Sequence, residues 1–210
     1  MIRVVIVDDH AIVRRGIRQI VAESATIQVV GEASDYSELM LLLRDGECDV
    51  VLLDIAIPGK NGIEILKAVR ERHPKVRVLM FSTYPEDQYA VRALKAGASG
   101  YLNKSSPPEK LLEAIQQVGL GRRYITPEFA ESLAASVAEP ETRNPHELLS
   151  DREFQTLRLI ASGRKLSEIA EELAISPKTV SVYRARVLEK MKLRTNTELT
   201  RYAVTHSLVE

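Results

Sequence analysis

Residues 2–9 read Ile-Arg-Val-Val-Ile-Val-Asp-Asp, a short apolar run rich in β-branched residues that ends in two carboxylates. The pattern returns where the run at 50–53 ends at Asp54 and the run at 78–81 ends at Ser82. Short runs of this kind predict buried strands. Because ligands bind outside the carboxyl ends of strands in an open parallel sheet, we expect these polar side chains to meet at one edge.

A fourth run, at 99–103, is followed by Lys104, which would bring an ammonium group to the same edge. Crowded carboxylates repel one another, and a divalent cation such as Mg²⁺ (or Mn²⁺) relieves that repulsion. We interpret Asp54 as a nucleophile that forms an aspartyl-phosphate, with Ser82 and Lys104 binding the phosphoryl oxygens. The set predicts a site for a metal ion and a phosphoryl group.

Strand and helix patterns alternate over residues 1–121, which predicts an α/β, doubly wound parallel sheet. The expected strands lie near 2–7, 27–32, 49–54, 76–82 and 99–103, and the expected helices near 11–23, 35–45, 61–72, 86–96 and 107–119. Asn61 and Ser106 are expected N-caps, and Gly97 is an expected C-terminal cap.

The composition changes after residue 121. Residues 122–147 are predicted to be a linker: Thr126-Pro127 could open a short helix to about Val137, and a polar, proline-bearing stretch follows. Residues 148–210 are predicted to form an all-α domain of four helices. Those helices are expected at about Ser150–Ala161, Leu166–Leu173, Ser176–Met191 and Asn196–His206.

The chain as a whole carries no net charge, with 29 basic and 29 acidic residues. Residues 177–195, however, hold six basic residues against Glu189 alone, a net charge of +5. Such a stripe on the second helix of a helix-turn-helix predicts insertion into the DNA major groove. The side chains expected to approach bases or nearby phosphates are Lys178, Thr179, Ser181, Val182 and Arg184, and those suited to phosphates are Arg186, Lys190 and Lys192.

Other features limit the class of protein. The single cysteine, Cys48, predicts a reduced thiol rather than a disulfide framework, and the four histidines show no metal-ligand spacing. No apolar stretch is long enough to span a membrane, and the chain enters a strand pattern at once. We therefore expect a cytoplasmic globular protein.

Residues 1–121 resemble the receiver domains of bacterial response regulators in Asp8-Asp9-His10, in Asp54 followed by Pro58-Gly59, in Ser82, and in Tyr101 three residues before Lys104. The resemblance implies a flavodoxin-like fold of five strands and phosphorylation of Asp54 by a histidine kinase. It implies Asp9 and Asp54 as magnesium ligands, Asp8 acting through water and the Ala56 backbone carbonyl as a further ligand. It further implies that on phosphorylation Ser82 moves toward the phosphoryl group and the ring of Tyr101 rotates inward.

Residues 148–210 resemble the LuxR-type DNA-binding domain in Leu149–Glu153, Ile169-Ala170, Ser176–Val180 and Leu188–Met191. Together the halves resemble the NarL/FixJ subfamily. Arg123-Tyr124-Ile125-Thr126-Pro127 and Ser176-Pro177-Lys178-Thr179-Val180 further resemble the GacA/UvrY group within it. The resemblance implies homodimers on double-stranded DNA, often with the last helix at the dimer contact. Ser181 and Ala185 stand where some members carry base-contacting lysines, so the DNA sequence read cannot be transferred.

The leading hypothesis is a phosphorylation-dependent transcriptional regulator, not an enzyme beyond accepting and slowly losing the phosphoryl group. An aspartyl phosphatase is an alternative, but many such enzymes need a second aspartate where Ala56 stands. A pseudo-receiver that ignores phosphate stays open. We further hypothesise that Ala56 and Tyr84 prolong the phosphorylated state, because one cannot contact an attacking water and the other is bulky beside the site.

Overall fold

The computed structural model describes residues 1–127, 129–131 and 144–209. The chain divides into two compact units, Met1–Glu139 and Pro140–Glu210.

The first unit contains, in its described residues, a parallel sheet of five strands in the order β2-β1-β3-β4-β5. The strands are β1 (Ile2–Val7), β2 (Ile27–Ala33), β3 (Val50–Leu53), β4 (Arg77–Ser82) and β5 (Gly100–Asn103). The helices are α1 (Ala11–Ala22), α2 (Tyr36–Asp45), α3 (Gly62–Arg72), α4 (Glu86–Lys95) and α5 (Pro108–Gly119). The predicted fold class and alternation are confirmed.

The central strands carry the core of this unit. All four residues of β3 are buried, as are residues 4–7 of β1 and 78–82 of β4. Strands of a parallel sheet are covered on both faces, which is why they read as continuous apolar runs instead of alternating ones. The order of strands reverses between β1 and β3, and ligands bind beside such a switch point.

One predicted cap is wrong. Helix α5 begins at Pro108 with Pro107 as its N-cap, instead of being capped by Ser106. A residue that precedes proline is disfavoured in the helical region, so Pro107 stays extended, with ψ 150°, and the helix starts one residue later. Asn61 does cap α3 by accepting from the Ile63 N–H, and Gly97 takes the expected left-handed φ of 100° after α4.

The chain after α5 returns to the sheet. Tyr124 is buried and forms a parallel bridge with Gly100 beside β5, inside the range predicted to be linker. Pro127 and residues 129–131 are helical, where the sequence predicts a helix starting at Thr126. The remainder of that predicted helix, at 132–137, and the polar stretch up to residue 143 lie outside the described residues.

The second unit, within residues 144–209, has a 3-10 helix (Pro145–Leu148) followed by four α-helices, as predicted. These are α6 (Asp151–Ala161), α7 (Leu166–Glu172), α8 (Pro177–Lys190) and α9 (Asn196–Thr205). Among the residues buried on their apolar faces are Phe154, Leu157, Ile169, Val187 and Leu199.

Local signals set the helix starts of the second unit as the sequence predicts. Ser150 and Glu153 form a capping box at α6. Ser176 caps α8 by accepting from the Thr179 N–H, and Pro177 occupies the first helical position. No helix among the described residues is long and apolar enough to cross a membrane.

Candidate functional site

The sheet gathers the acidic residues at one edge, as the sequence predicts. Asp8 follows β1 and Asp54 follows β3, its neighbour in the sheet, and both side chains are buried. Ligand atoms of Asp8, Asp9, His10 and Asp54 all lie within 4.8 Å of one another. Carboxylate oxygens at this separation can share one divalent cation with modest side-chain adjustment.

Lys104 joins the two buried carboxylates. Its Nζ donates to Asp8 Oδ2 at 2.5 Å and to Asp54 Oδ2 at 2.8 Å. Burial works against the charge of Lys104, but the attraction and hydrogen bonds of the two carboxylates outweigh it and raise its pKa above the ordinary value. The ammonium is therefore a fixed positive charge within this cluster.

Backbone groups fix the direction of the carboxylates. Asp54 Oδ1 accepts from the Ile55 N–H at 2.7 Å, and Asp8 Oδ1 accepts from the His10 N–H at 2.8 Å. The Asp8 carbonyl in turn accepts from Arg14 Nη1 at 2.6 Å. These bonds leave little rotational freedom at the two aspartates.

The start of α3 packs closely against the backbone of Asp54 and Ile55. The Gly62 N–H donates to the Ile55 carbonyl at 2.9 Å. A Cβ added at Gly62 would lie only 2.1 Å from the Asp54 carbonyl oxygen, so only glycine fits here. Asn61, fully buried, caps the helix at this point. The loop that carries Asp54 and the half-buried Ala56 is thus held by the start of α3.

Ser82 and Tyr101 lie on the neighbouring strands β4 and β5. Ser82 is fully buried, and its carbonyl accepts from the Lys104 N–H at 2.9 Å. Tyr101 is also fully buried, and its hydroxyl donates to the Tyr84 carbonyl at 2.7 Å. Asn103 Nδ2 donates to that same carbonyl at 3.1 Å. The Tyr84 ring itself stacks on Tyr89, with ring centroids 4.7 Å apart.

His10 contacts the acidic site, although the spacing of the four histidines along the chain gives no metal-ligand pattern. Its Nδ1 lies 2.8 Å from Asp9 Oδ1 and 3.3 Å from Asp8 Oδ1. Its position directly after two strand-end aspartates could have indicated this contact. Cys48, by contrast, has a free thiol as predicted, and burial raises its pKa to about 11.

The second unit exposes the stripe that the sequence singles out on α8. Lys178, Ser181, Val182 and Arg186 are exposed on this helix, as are Lys190 and, just after it, Lys192; Thr179 and Arg184 are half-buried. Val180 and Val187 face the opposite way and are fully buried. Helix α8 therefore presents a polar and basic face while its apolar face packs inside the unit.

Two of the basic side chains have partners within the protein. Lys190 Nζ donates to Oε2 of Glu153 at 2.7 Å, and Arg184 Nε donates to Asn196 Oδ1 at 2.6 Å. Burial disfavours the charge of Glu153, but the bonds from Lys190 and Ser150 prevail and lower its pKa. Lys190 thus ties the end of α8 to the start of α6, a role the sequence did not indicate.

Two histidines that are distant in sequence also meet in this unit. The Tyr202 ring stacks on His206 with centroids 3.9 Å apart, and its hydroxyl lies 2.9 Å from His146 Nδ1. Burial is the main cause that raises the pKa of Tyr202. The 3-10 helix is thereby held against α9.

Family comparisons agree with both units. Residues 4–116 match the response regulator receiver domain, and residues 147–203 match the luxR family of bacterial regulatory proteins. The chain therefore belongs to the bacterial response regulators, with a receiver domain followed by a LuxR-type DNA-binding domain, as the sequence motifs indicate.

The chain is also similar over its whole length to individual response regulators. It is 40% identical to the response regulator UvrY of Escherichia coli (strain K12), over 99% of this chain and 96% of that protein. It is 39% identical to the response regulator GacA of Pseudomonas viridiflava, over 100% and 99%. RcsB from Salmonella enterica serovar Typhimurium, solved bound to promoter rprA with the phosphomimetic BeF3⁻, is 26% identical with a TM-score of 0.67, covering 96% of this chain and 98% of that one.

Proposed function

We propose that this response regulator binds promoter DNA in a manner controlled by phosphorylation of Asp54, with a histidine kinase or phosphotransfer domain as donor. The observation that carries the proposal is the arrangement at the sheet edge. Lys104 bridges the buried Asp8 and Asp54, with Ser82 at the end of the next strand. An anionic nucleophile, a positive charge and a hydroxyl donor are groups that assist phosphoryl transfer to a carboxylate.

A magnesium ion fits this site. Asp9 and Asp54 would hold it directly, Asp8 through water, and Ala56 through its backbone carbonyl. The closeness of the carboxylate oxygens supports this assignment, because the single ammonium of Lys104 offsets only part of the charge of three carboxylates. Bound Mg²⁺ (or Mn²⁺) supplies positive charge for the phosphoryl oxygens during transfer.

In the transfer step a carboxylate oxygen of Asp54 attacks the phosphorus atom. The new O–P bond forms while the bond to the donor nitrogen of a phosphohistidine breaks. Asp54 is suited to this because Ile55 and Lys104 fix its carboxylate in one orientation. The Lys104 ammonium then donates to the phosphoryl oxygens instead of the Asp54 carboxylate, and the Ser82 hydroxyl donates to one of those oxygens. Beyond this step and its slow hydrolytic reversal we propose no enzymatic activity.

The readout is a shift between two populations of the receiver. Ser82 and Tyr101 are the proposed moving residues. Tyr101 is buried with its hydroxyl bound to Tyr84, so its ring position and the loop before α4 depend on each other.

For DNA, we propose that α8 enters the major groove of each half-site of a homodimer. Its first turns would approach bases, and the later basic residues would contact phosphates. The proposed contacts are Lys178, Thr179, Ser181, Val182, Arg184, Arg186, Lys190 and Lys192. Lys190 would have to contact DNA while bound to Glu153.

We place the receiver at 1–121, the linker at 122–147 and the DNA-binding domain at 148–210. The regulator acts in the bacterial cytoplasm, where its DNA lies.

The experiment is a comparison of promoter output between cells that carry the wild type and cells that carry Asp54→Asn, with equal protein levels. The proposal expects output to stop responding to the kinase in the variant. Unchanged output would mean that DNA binding ignores phosphate and that the chain acts as a pseudo-receiver.

A further inference from the structure

Thr126 lies in the segment that leads from α5 toward the DNA-binding unit, and it contacts α4. Its hydroxyl donates to Glu86 Oε2 at 2.9 Å and accepts from the Phe129 N–H at 3.2 Å. The same hydroxyl therefore caps the helical residues that follow it and binds the first turn of α4. Phe129 is buried, which anchors this turn.

The segment just before Thr126 is fixed to Tyr101. The Tyr124 N–H donates to the Ser99 carbonyl at 2.9 Å, and the Tyr101 N–H donates to the Tyr124 carbonyl at 3.3 Å. A Cβ at Gly100 would lie 2.6 Å from the Tyr124 carbonyl oxygen, so this close approach depends on glycine. Tyr101 thus holds the segment through its backbone, whatever its ring does.

The side chain of Tyr101 contacts the loop before α4, which carries Glu86. Its hydroxyl binds the carbonyl of Tyr84, two residues before Glu86. Tyr101 consequently connects two stretches of chain, 84–86 and 124–126. The hydrogen bond between Glu86 and Thr126 connects the same two stretches directly. If the Tyr101 ring leaves its buried position, the Tyr84 carbonyl loses a donor, and Glu86 is held less firmly opposite Thr126.

We propose that Thr126 couples the state of Asp54 to the segment that follows α5, residues 124–127, through its hydrogen bond to Glu86. The inference rests on the proposed function, because it takes the buried Tyr101 ring as the phosphorylated arrangement. Coupling of this kind is reciprocal: if phosphorylation favours the bond, the bond favours phosphorylation by the same factor. Loss of the bond must then weaken the binding of a phosphoryl mimic at a site that Thr126 does not touch.

The test uses the full chain and BeF3⁻ with Mg²⁺ as the probe. Affinity is measured by calorimetric titration, and amide hydrogen exchange is followed at Phe129 and Ala130, whose N–H groups bond to Thr126. Glu86→Ala removes the acceptor while keeping the cap, and Thr126→Val removes the hydroxyl. We expect each to weaken BeF3⁻ binding by about three- to tenfold, the usual range for one hydrogen bond.

Matched variants separate this role from a general loss of stability. Thr126→Ser keeps the hydroxyl and should bind BeF3⁻ like the wild type. Thr26→Val, at an exposed threonine bonded to Gln116, should also do so. The Glu86→Ala, Thr126→Val double variant should be no weaker than the worse single variant, because both remove the same bond. In the wild type, BeF3⁻ should slow exchange at Phe129 and Ala130, and in Glu86→Ala it should not.

BeF3⁻ affinity within twofold of the wild type in both single variants, or equal slowing of exchange in Glu86→Ala, would overturn the coupling while leaving the proposed function intact. Failure of the wild type to bind BeF3⁻ at all would overturn the proposed function, and the coupling with it.

Discussion

Nζ of Lys104 lies 2.8 Å from Oδ2 of Asp54, and the two side chains keep only 11% and 3% of their surface exposed. An ion pair this deeply buried leaves a costly isolated charge if one partner is removed. The pair therefore makes the acidic site dependent on a cation even before any phosphoryl group arrives.

Lys104→Met tests that dependence. Asp8 and Asp54 would keep their mutual repulsion without the ammonium, so the free energy of unfolding without divalent cations should fall by about 3–5 kcal/mol. Mg²⁺ should restore more stability to the variant than it adds to the wild type, because the metal ion replaces the lost charge. Denaturant titrations with and without Mg²⁺ measure both effects. Lys110→Met, at an exposed pair with Glu113, is the control; equal Mg²⁺ effects in all three proteins would contradict the prediction.

Gly62→Ala should damage the same site from the opposite side. The added Cβ would overlap the Asp54 carbonyl oxygen, and backbone cannot move aside as a flexible side chain can. We expect the free energy of unfolding in urea to fall by about 1–3 kcal/mol, and phosphorylation by small phosphodonors to be slower. Gly16→Ala in α1, where the new Cβ meets nothing within 4 Å, should instead add about 0.5–1 kcal/mol. Similar stabilities for the two variants would contradict the conclusion that only glycine fits at position 62.

The lifetime of the phosphorylated state should depend on Ala56 and Tyr84. Ala56→Asn adds an amide that can orient an attacking water, and Tyr84→Ala removes a ring that stacks on Tyr89 near the site. Both variants should lose the phosphoryl group several-fold faster, as measured by the decay of phosphoprotein after the donor is removed. Unchanged dephosphorylation rates in both variants would contradict the hypothesis that Ala56 and Tyr84 restrict the access of water.

Substitutions on α8 should separate binding to DNA from a structural role. Lys178→Ala and Arg186→Ala should weaken DNA binding and reduce the slope of log K against log salt by about 0.9 for each phosphate that the variant no longer neutralises. Lys190→Ala should mainly lower the stability of the second unit, because Glu153 then stays buried without its partner. A full salt-slope change with unaltered stability in Lys190→Ala would show that its DNA role dominates.

The sequence was most informative where one pattern had one physical meaning. Continuous apolar runs ending at Asp8, Asp54 and Ser82 predicted both the parallel sheet and its polar edge, because strand direction fixes which ends meet. It was least informative where the outcome depended on three-dimensional packing. The return of Tyr124 to β5 and the pairing of Lys190 with Glu153 connect groups whose meeting leaves no periodic signal.

The most direct test of phosphorylation at Asp54 is intact-mass analysis of the wild type and Asp54→Ala after incubation with a small phosphodonor, with and without Mg²⁺. We expect a phosphoryl adduct only in the wild type and only with Mg²⁺. An adduct of equal yield in Asp54→Ala, or none in a folded wild-type protein, would contradict the assignment of Asp54 as the phosphoryl acceptor.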